Sequence, residues 1–296
     1  MTEELRQYLQ KAREHYDRIL DENIAALVEK TRIERERFVR INPCDFLETI
    51  SGFIQSNGDI AKFVEQHKTP DTFLISPLDA VEETAAQICY KTNQSQIKLR
   101  AHKCSVVPIP ARVAQSFCIK NHRQTASVIS SESVSFALVY ENEIVACMTY
   151  DKTAGAVRGK SRKDQYELLR LAIRKGYQIN GGASKLQKAC EEALMSIGCF
   201  TIFSYSNATI NEGGVYAQLG FAKGKIQSGR AYVIMHDFEL QGAAPFSTNC
   251  GSAANWFLRK YGFVKTNISA NRMWTKQLRR TISEHTTGER CSITNE

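Results

Sequence analysis

A chain of 296 residues, 43% of them hydrophobic, has the size and composition of a globule built as one large domain or as a core domain with additions at each end. No run nears the ~18 apolar residues of a membrane span, and the start Met1-Thr2-Glu3-Glu4 does not read as a secretory signal. Nine scattered cysteines without a C-x-x-C pair argue for a reducing cytoplasm and against a disulfide framework or a thiolate metal site, and a net charge of +8 favours an acidic partner, nucleic acid above all, over a merely solvated basic surface.

The chain begins with a helical pattern. Leu5, Leu9, Ala12, Tyr16, Ile19, Asn23, Ala26 and Ile33 keep near-heptad spacing, and the charges of residues 29–37 alternate in sign as on a solvated helix. Asn42-Pro43 ends it. Further helices are expected over residues 45–53, 59–67 and 77–90, so that residues 1–95 form a helical module. Such a module serves as a dimerisation arm, a lid on a catalytic domain or a docking piece, and the residues do not choose among these.

From Ile97 the pattern changes to strands. Residues 97–101 alternate apolar and polar, Pro108 and Pro110 make a stop, and residues 111–119 read as a helix that runs into Asn121-His122-Arg123-Gln124. Strands over 134–140 and 144–150 flank the turn Glu141-Asn142-Glu143. Leu168, Leu169, Leu171, Ala172 and Ile173 then form an apolar strand that leads into a glycine-rich turn, Gln178-Ile179-Asn180-Gly181-Gly182. Ala183, Leu186, Ala189, Cys190, Ala193, Leu194 and Ile197 follow at helical spacing. Small residues entering a helix N-terminus leave several backbone N–H groups free, a site suited to phosphate, unless the turn merely packs. A second strand starts at Phe200, Ile202 and Phe203 and turns polar at Ser204-Tyr205-Ser206-Asn207. Gly213-Gly214-Val215-Tyr216 opens a short helix closed by Gly220 and Phe221.

This order of strand, turn, helix, strand and Tyr-x-x-Leu-Gly-Phe helix resembles the GNAT acyltransferase family. The resemblance implies an α/β (α+β) fold: a mixed central sheet flanked by helices over residues 96–240, preceded by the helical module and followed by a basic extension. Gln178-x-x-Gly181-x-Ala183 fits the family's pyrophosphate loop, so acetyl-coenzyme A or another acyl-coenzyme A is the expected donor, over Asn180, Gly181, Gly182, Ala183 and Ser184. The Ser184 hydroxyl and Lys185 ammonium are suited to phosphate, with a water-facing position the alternative for Lys185. Tyr216 fits the tyrosine that protonates the departing thiolate, and Asn207 the residue that holds the pantetheine arm, or else a strand-end turn. Glu167 stands where the family often keeps a carboxylate base, and an ordinary salt bridge with Arg170 is the alternative. His122 is a further candidate base, or a cap on its own helix.

About residues 100–240, most specifically the block Gly181 to Leu186, also resemble phage-encoded GNAT-like domains, similar in organisation to the Mom proteins that modify adenine in DNA. That likeness implies a phage or prophage origin, a host cytoplasm and a nucleic-acid substrate. The chain departs from it at Asn207-Ala208-Thr209-Ile210-Asn211, where relatives carry a basic, Trp-containing run.

Beyond residue 240 the chain is basic. Lys and Arg at 259, 260, 265, 272, 276, 279, 280 and 290 outnumber three Glu, with Trp256, Tyr261, Phe263 and Trp274 among them. Arg259, Lys260, Lys265, Arg272, Trp274 and Lys276 are therefore candidate nucleic-acid contacts, against a core-packed aromatic set with a solvated face. Residues 249–274 align without gaps on 207–232, either as a decayed repeat or through a coincidence of Gly-Phe pairs. After residue 282 a polar tail is expected to be disordered. Three functions stay open: acyl transfer to nucleic acid, a non-enzymatic GNAT-like binding module, and acetylation of a protein or small amine.

Overall fold

The computed structural model describes residues 3–47, 58–122, 129–152, 165–210, 213–229, 231–242 and 264–278. Its first element is helix α1, Glu3–Thr31, whose buried stripe is Ala12, Tyr16, Leu20, Ile24 and Leu27. Strand β1 (Phe38–Arg40) pairs in parallel with β2 (Phe73–Ile75), and helices α2 (Ile60–His67) and α3 (Val81–Lys91) complete the module. Asp59 caps α2, its side chain accepting from Ala61 N–H at 2.8 Å. The helix expected over 45–53 falls mostly on residues outside the described ones; Pro43–Asp45 is a single 3-10 turn.

The stripe on α1 is covered by its own chain. Leu20, Ile24 and Leu27 cluster with Phe73, Ile75, Ala85 and Ile88. Nearer the N-terminus, Tyr8 OH donates to the Met235 carbonyl at 2.6 Å and Tyr16 OH to that of Phe238 at 2.7 Å. The apolar stripe that suggested a dimerisation arm is therefore buried inside the chain.

Next come β3 (Ile97–Arg100), β4 (Ser105–Pro108), helix α4 (Ala111–Asn121), β5 (Val134–Tyr140), β6 (Glu143–Asp151), β7 (Gln165–Ile173) and β8 (Tyr177–Asn180). Helix α5 (Gly182–Ser196), β9 (Thr201–Asn207), helix α6 (Gly214–Gln218), β10 (Ala222–Ser228), β11 (Ala231–Ile234), β12 (Leu240–Gly242), β13 (Val264–Asn267) and β14 (Ala270–Gln277) finish the described chain. The central sheet runs β10-β14-β9-β7-β6-β5-β4. Glu141 and Asn142 both take positive φ, 50° and 64°, the turn that joins β5 to β6 with the right twist. Helix α4 packs on one face through Cys118 with Ala137, Cys147 and Ala172, and α5 on the other through Leu186, Cys190 and Leu194 with Leu138, Tyr150 and Leu168. The strand expected over 97–101 forms, but outside this sheet: β3 pairs in parallel with β8.

The C-terminal strands close the sheet from an unexpected direction. The β10–β14 register continues into β11–β13, with Ser228↔Ala270 on one side of a bend and Ala231↔Asn267 on the other. The bend falls at Gly229, whose N–H donates to the Ser269 carbonyl at 2.7 Å and where a Cβ would come 2.4 Å from Ser269 Oγ. One long ribbon thus serves two sheets, and its return arm, β14, enters the central sheet between β10 and β9. The reading of residues 241–282 as an appended extension is corrected accordingly, because residues 270–277 are an interior strand. Residues 243–263 and 279–296 lie outside the described ones, and with them Arg259, Lys260, Trp256, Tyr261, Phe263, the first part of the aligned repeat and the polar tail.

Candidate active site

The site begins with a defect in β7. Thr149 pairs with Arg170 but the next residue, Tyr150, pairs with Leu168, so Leu169 is an extra residue bulged out of the ladder. β7 and β9 are paired only at Gln165↔Thr201, Tyr166↔Ile202 and Glu167↔Phe203, and beyond Glu167 they part. A cavity of about 710 Å³ occupies the gap, walled by residues 168–173 of β7, 205–207 of β9, Val215, Tyr216 and the end of α4.

Helix α3 and residues 94–96 after it supply a further part of the wall. The module reaches both diverging strands: Lys175 Nζ on the β7 side is 3.0 Å from Glu83 Oε1, while Lys91 Nζ donates to the Ile210 carbonyl at 3.0 Å and Lys68 Nζ to the same carbonyl at 3.2 Å. Helix α3 of this module thus lines the cavity.

Tyr216 stands in the gap. Its ring stacks on Trp274 at 5.4 Å with 17° between planes and meets Phe221 edge-on at 5.7 Å. Ser204 Oγ donates to the Leu168 carbonyl at 2.8 Å and lies 3.2 Å from Tyr216 OH. A serine has one proton, and the carbonyl can only accept, so the serine lone pairs are left for the phenol to donate into. Burial pushes the Tyr216 pKa up from the ordinary phenol range, against a smaller lowering effect of Arg170. Trp274 is 1% exposed and gives its Nε1–H to Ser206 Oγ at 2.8 Å. That corrects its assignment as a stacking surface for nucleic acid: an indole enclosed in the core has no face left for a base. Gly213, at φ 75°, packs so tightly on this indole that a Cβ would lie 2.3 Å from Trp274 Cζ2.

The candidate bases take different places. Glu167 is 7% exposed, at the last paired position before the strands diverge, and acts electrostatically on both Tyr216 and Arg170. His122 follows α4, gives its backbone N–H to the Cys118 carbonyl at 2.8 Å and lines the cavity beside Asn121. Arg123 and Gln124 lie outside the described residues.

The glycine-rich turn caps α5 with Gly181 in the left-handed region, φ 76°, a conformation glycine adopts without strain. At Gly182 a Cβ would sit 2.9 Å from Ile179 Cγ2, so the backbone comes close where a side chain is excluded. The N–H groups of Gly182, Ala183 and Ser184 precede the first helical bond, Lys185 N–H to the Gly181 carbonyl at 3.0 Å, and have no acceptor within the helix. Asn180 and Ser184 are exposed, and Gln178 Oε1 is buried without a hydrogen-bond partner among the described residues. This cradle fits a pyrophosphate through backbone donors and the helix dipole. Lys185 is turned away from it, its ammonium donating to the carbonyls of Ala101 at 3.0 Å and Cys104 at 2.6 Å. Asn207 uses its side-chain oxygen to accept from Thr209 N–H at 3.0 Å, as a strand-end turn does, while lining the cavity.

Of the described candidate nucleic-acid contacts, Lys276 is bound to Glu191 and, at 2.8 Å, to the Leu219 carbonyl. Arg272 Nη1 is 3.5 Å from the Gly224 carbonyl and Lys265 is half-buried. Sequence reasoning missed Ser204, the α3 wall and the Trp274 platform under Tyr216; only the polar end of β9 and the Gly213-Gly214 pair hinted at any of them.

Residues 110–221, from the start of α4 through the end of the α6 segment, match the family model described as Acetyltransferase (GNAT) family. The match covers less than half of the chain and shows this stretch to be similar to an acetyltransferase domain of that family. No curated protein sequence matches the chain. Among solved structures, it is similar to the ribosomal-protein-S18-alanine N-acetyltransferase from Escherichia coli at 12% identity and a TM-score of 0.38, over 61% of this chain and 97% of that one. It is also similar to an IAA acetyltransferase from Bacillus cereus at 12% identity and a TM-score of 0.38, over 59% of this chain and 99% of that one. A GNAT family acetyltransferase from Elizabethkingia anophelis with acetyl-CoA bound aligns at 12% identity and a TM-score of 0.33, over 60% of this chain and 99% of that one.

Proposed function

We propose that this chain transfers an acyl group from an acyl-coenzyme A to an amine held in the gap between β7 and β9. The observation that carries the reading is Tyr216, a half-buried phenol standing where these two strands diverge. The donor supplies a thioester carbonyl and a leaving thiolate. Gly181, Gly182, Ala183 and Ser184 hold its phosphates through backbone N–H groups, with Gln178 and Asn180 beside them. Glu167 takes the proton of the attacking amine, directly or through water, with His122 as the second candidate for that task. Tyr216 gives a proton to the leaving sulfur, and Ser204 and Trp274 hold its ring in position.

For the acceptor we infer an exocyclic amine of a nucleobase, adenine first, as in the Mom-like phage proteins the sequence resembles. The surplus of +8 supports it, and a base in a duplex would have to be flipped out to reach the gap. A second reading, a small or protein-borne amine, is favoured by the enclosure of Trp274 and the pairing of Lys276, which remove two of the candidate DNA contacts.

Calorimetric titration with acetyl-coenzyme A tests the donor, with Gly181→Glu as control, because a carboxylate at a left-handed cap opposes both the backbone and the phosphate. Micromolar binding that the variant loses is the expected result, and absence of binding at millimolar ligand sinks the reading. Mass spectrometry of nucleosides from DNA incubated with enzyme and donor then separates the two acceptors.

A further inference from the structure

The proposed acid sits on a helix too short to hold its own position. Helix α6 has five residues, Gly214–Gln218, far fewer than the roughly 12 at which a helix becomes stable alone in water. Strand β14 grips it twice. Trp274 stacks under the Tyr216 ring. Lys276, two positions on and so on the same face of the strand, donates from its ammonium to the carbonyl of Leu219, the residue that caps α6, at 2.8 Å. Leu219 N–H bonds the Val215 carbonyl at 3.0 Å and Phe221 N–H that of Tyr216 at 2.9 Å, so a hold on Leu219 is a hold on the tyrosine's own turn. Gly220, at φ 81°, carries the chain past the ammonium, which lies 3.5 Å from where a Cβ would stand.

The same ammonium binds the Glu191 carboxylate on α5, with the two side chains 23% and 20% exposed. Glu191 also accepts from Gln187 Nε2, and Gln187 from Tyr150 OH, both at 2.6 Å, so the carboxylate is held against the sheet. Helix α5 is the one whose first turn, Gly182, Ala183 and Ser184, forms the phosphate cradle. One cation therefore joins the helix under the donor's phosphates to the helix that carries the acid.

We propose that Lys276 is a positioning residue for the transfer: by linking Leu219 to Glu191 it keeps the Tyr216 hydroxyl in register with the donor, whose place is set by α5. This rests on the acyl-coenzyme A reading with Tyr216 as the acid. A displaced proton donor loses rate while the contacts that bind coenzyme A at the cradle persist, so cutting the link lowers kcat and spares the Kd.

The test, on the full chain, separates position from stability. Lys276→Met with Glu191→Gln removes the ion pair without leaving a lone buried charge, so the double variant keeps most of the wild-type urea midpoint. Thiol release from acetyl-coenzyme A is followed with single-stranded DNA and with glycinamide as probe amines, alongside calorimetry of coenzyme A and amide hydrogen exchange. The expected result for the double variant is a kcat lower by about ten-fold at an unchanged coenzyme A Kd, with exchange at Leu219 and Phe221 faster by about ten-fold. Lys276→Arg, which keeps a cation with several donors, restores most of the rate. In a Tyr216→Phe background the same double change costs no further rate, because the group being positioned is gone. A kcat that recovers along with the urea midpoint overturns the proposal, and so does a loss that persists in full on Tyr216→Phe. A coenzyme A Kd that weakens in step with kcat overturns it too, making Lys276 part of the donor site. If Tyr216→Phe keeps the wild-type rate, or wild type releases thiol with neither amine, the acid reading fails and the assignment falls with it. A slow Tyr216→Phe beside a double variant of wild-type rate sinks the assignment alone.

Discussion

A phenol serves as an acid only while it keeps its proton, and burial raises the Tyr216 pKa so that it does so well into the alkaline range. Tyr216→Phe removes the hydroxyl and leaves the ring stacked on Trp274. The expected outcome is a kcat lower by about 10²-fold with an unchanged donor Kd, read by thiol release and calorimetry; a Kd that weakens in step with kcat would assign the hydroxyl to binding instead. Gly213→Ala tests the platform beneath it. The residue sits at φ 75° and its Cβ would press on the indole at 2.3 Å. Left-handed strain and overpacking together are expected to cost about 2 to 4 kcal/mol, seen as a lower urea midpoint with an unchanged m-value.

At the scale of elements, a chain of polar contacts fixes α5 against the strand that carries Trp274. Tyr150 OH donates to Gln187 Oε1 at 2.6 Å, Gln187 Nε2 to Glu191 at 2.6 Å, and Lys276 links Glu191 to the Leu219 carbonyl. Lys276→Met leaves the Glu191 carboxylate, at 20% side-chain exposure, with the Gln187 amide but without its cation. A loss of about 1 to 3 kcal/mol is expected, most of it recovered when Glu191→Gln is added, which a double-mutant cycle in urea measures. Most elements were legible beforehand because their signals are local. Residues 59–67, 111–119 and 183–197 announce helices by period, and Asp59 and Gly181 mark starts by their capping chemistry. The site was half legible: the glycine turn and Tyr216 lie in recognisable spacings, whereas Ser204 and Trp274 gain meaning only because β14 lies beside β9.

For the molecule as a whole, buried neutral acids govern the response to alkali. Burial pushes the Cys44 thiol up to about 12, and Tyr8, Tyr16 and Tyr150 are raised above their ordinary range by the same cause. In the unfolded chain these groups release protons from about pH 9 for the thiol and about pH 10 for the phenols. Between those values and the folded ones the unfolded state holds fewer protons than the native state, so stability falls as pH rises. The urea midpoint is expected to be level from pH 7 to about 8.5 and to decline steadily above about 9. A level profile to pH 11 would contradict the burial of these groups.

What the amino-acid sequence determined by itself is whatever depends on neighbours along the chain. Hydrophobic period set the helices and strands, glycines at 181, 213 and 220 set the turns that need positive φ, and the spacing of the glycine turn and Tyr216 disclosed the acyltransferase class. The tertiary structure alone decided which strand lies beside which. It sent β3 to β8, placed β14 between β10 and β9, buried the stripe of α1 in its own chain and made α3 a wall of the cavity. The reason is that strand pairing joins residues tens of positions apart, so register and order follow from which faces can be buried together, and no local pattern encodes that. Glu167, Arg170 and Tyr216 come together where β7 bulges at Leu169 and its pairing with β9 stops, a property of the sheet as a whole.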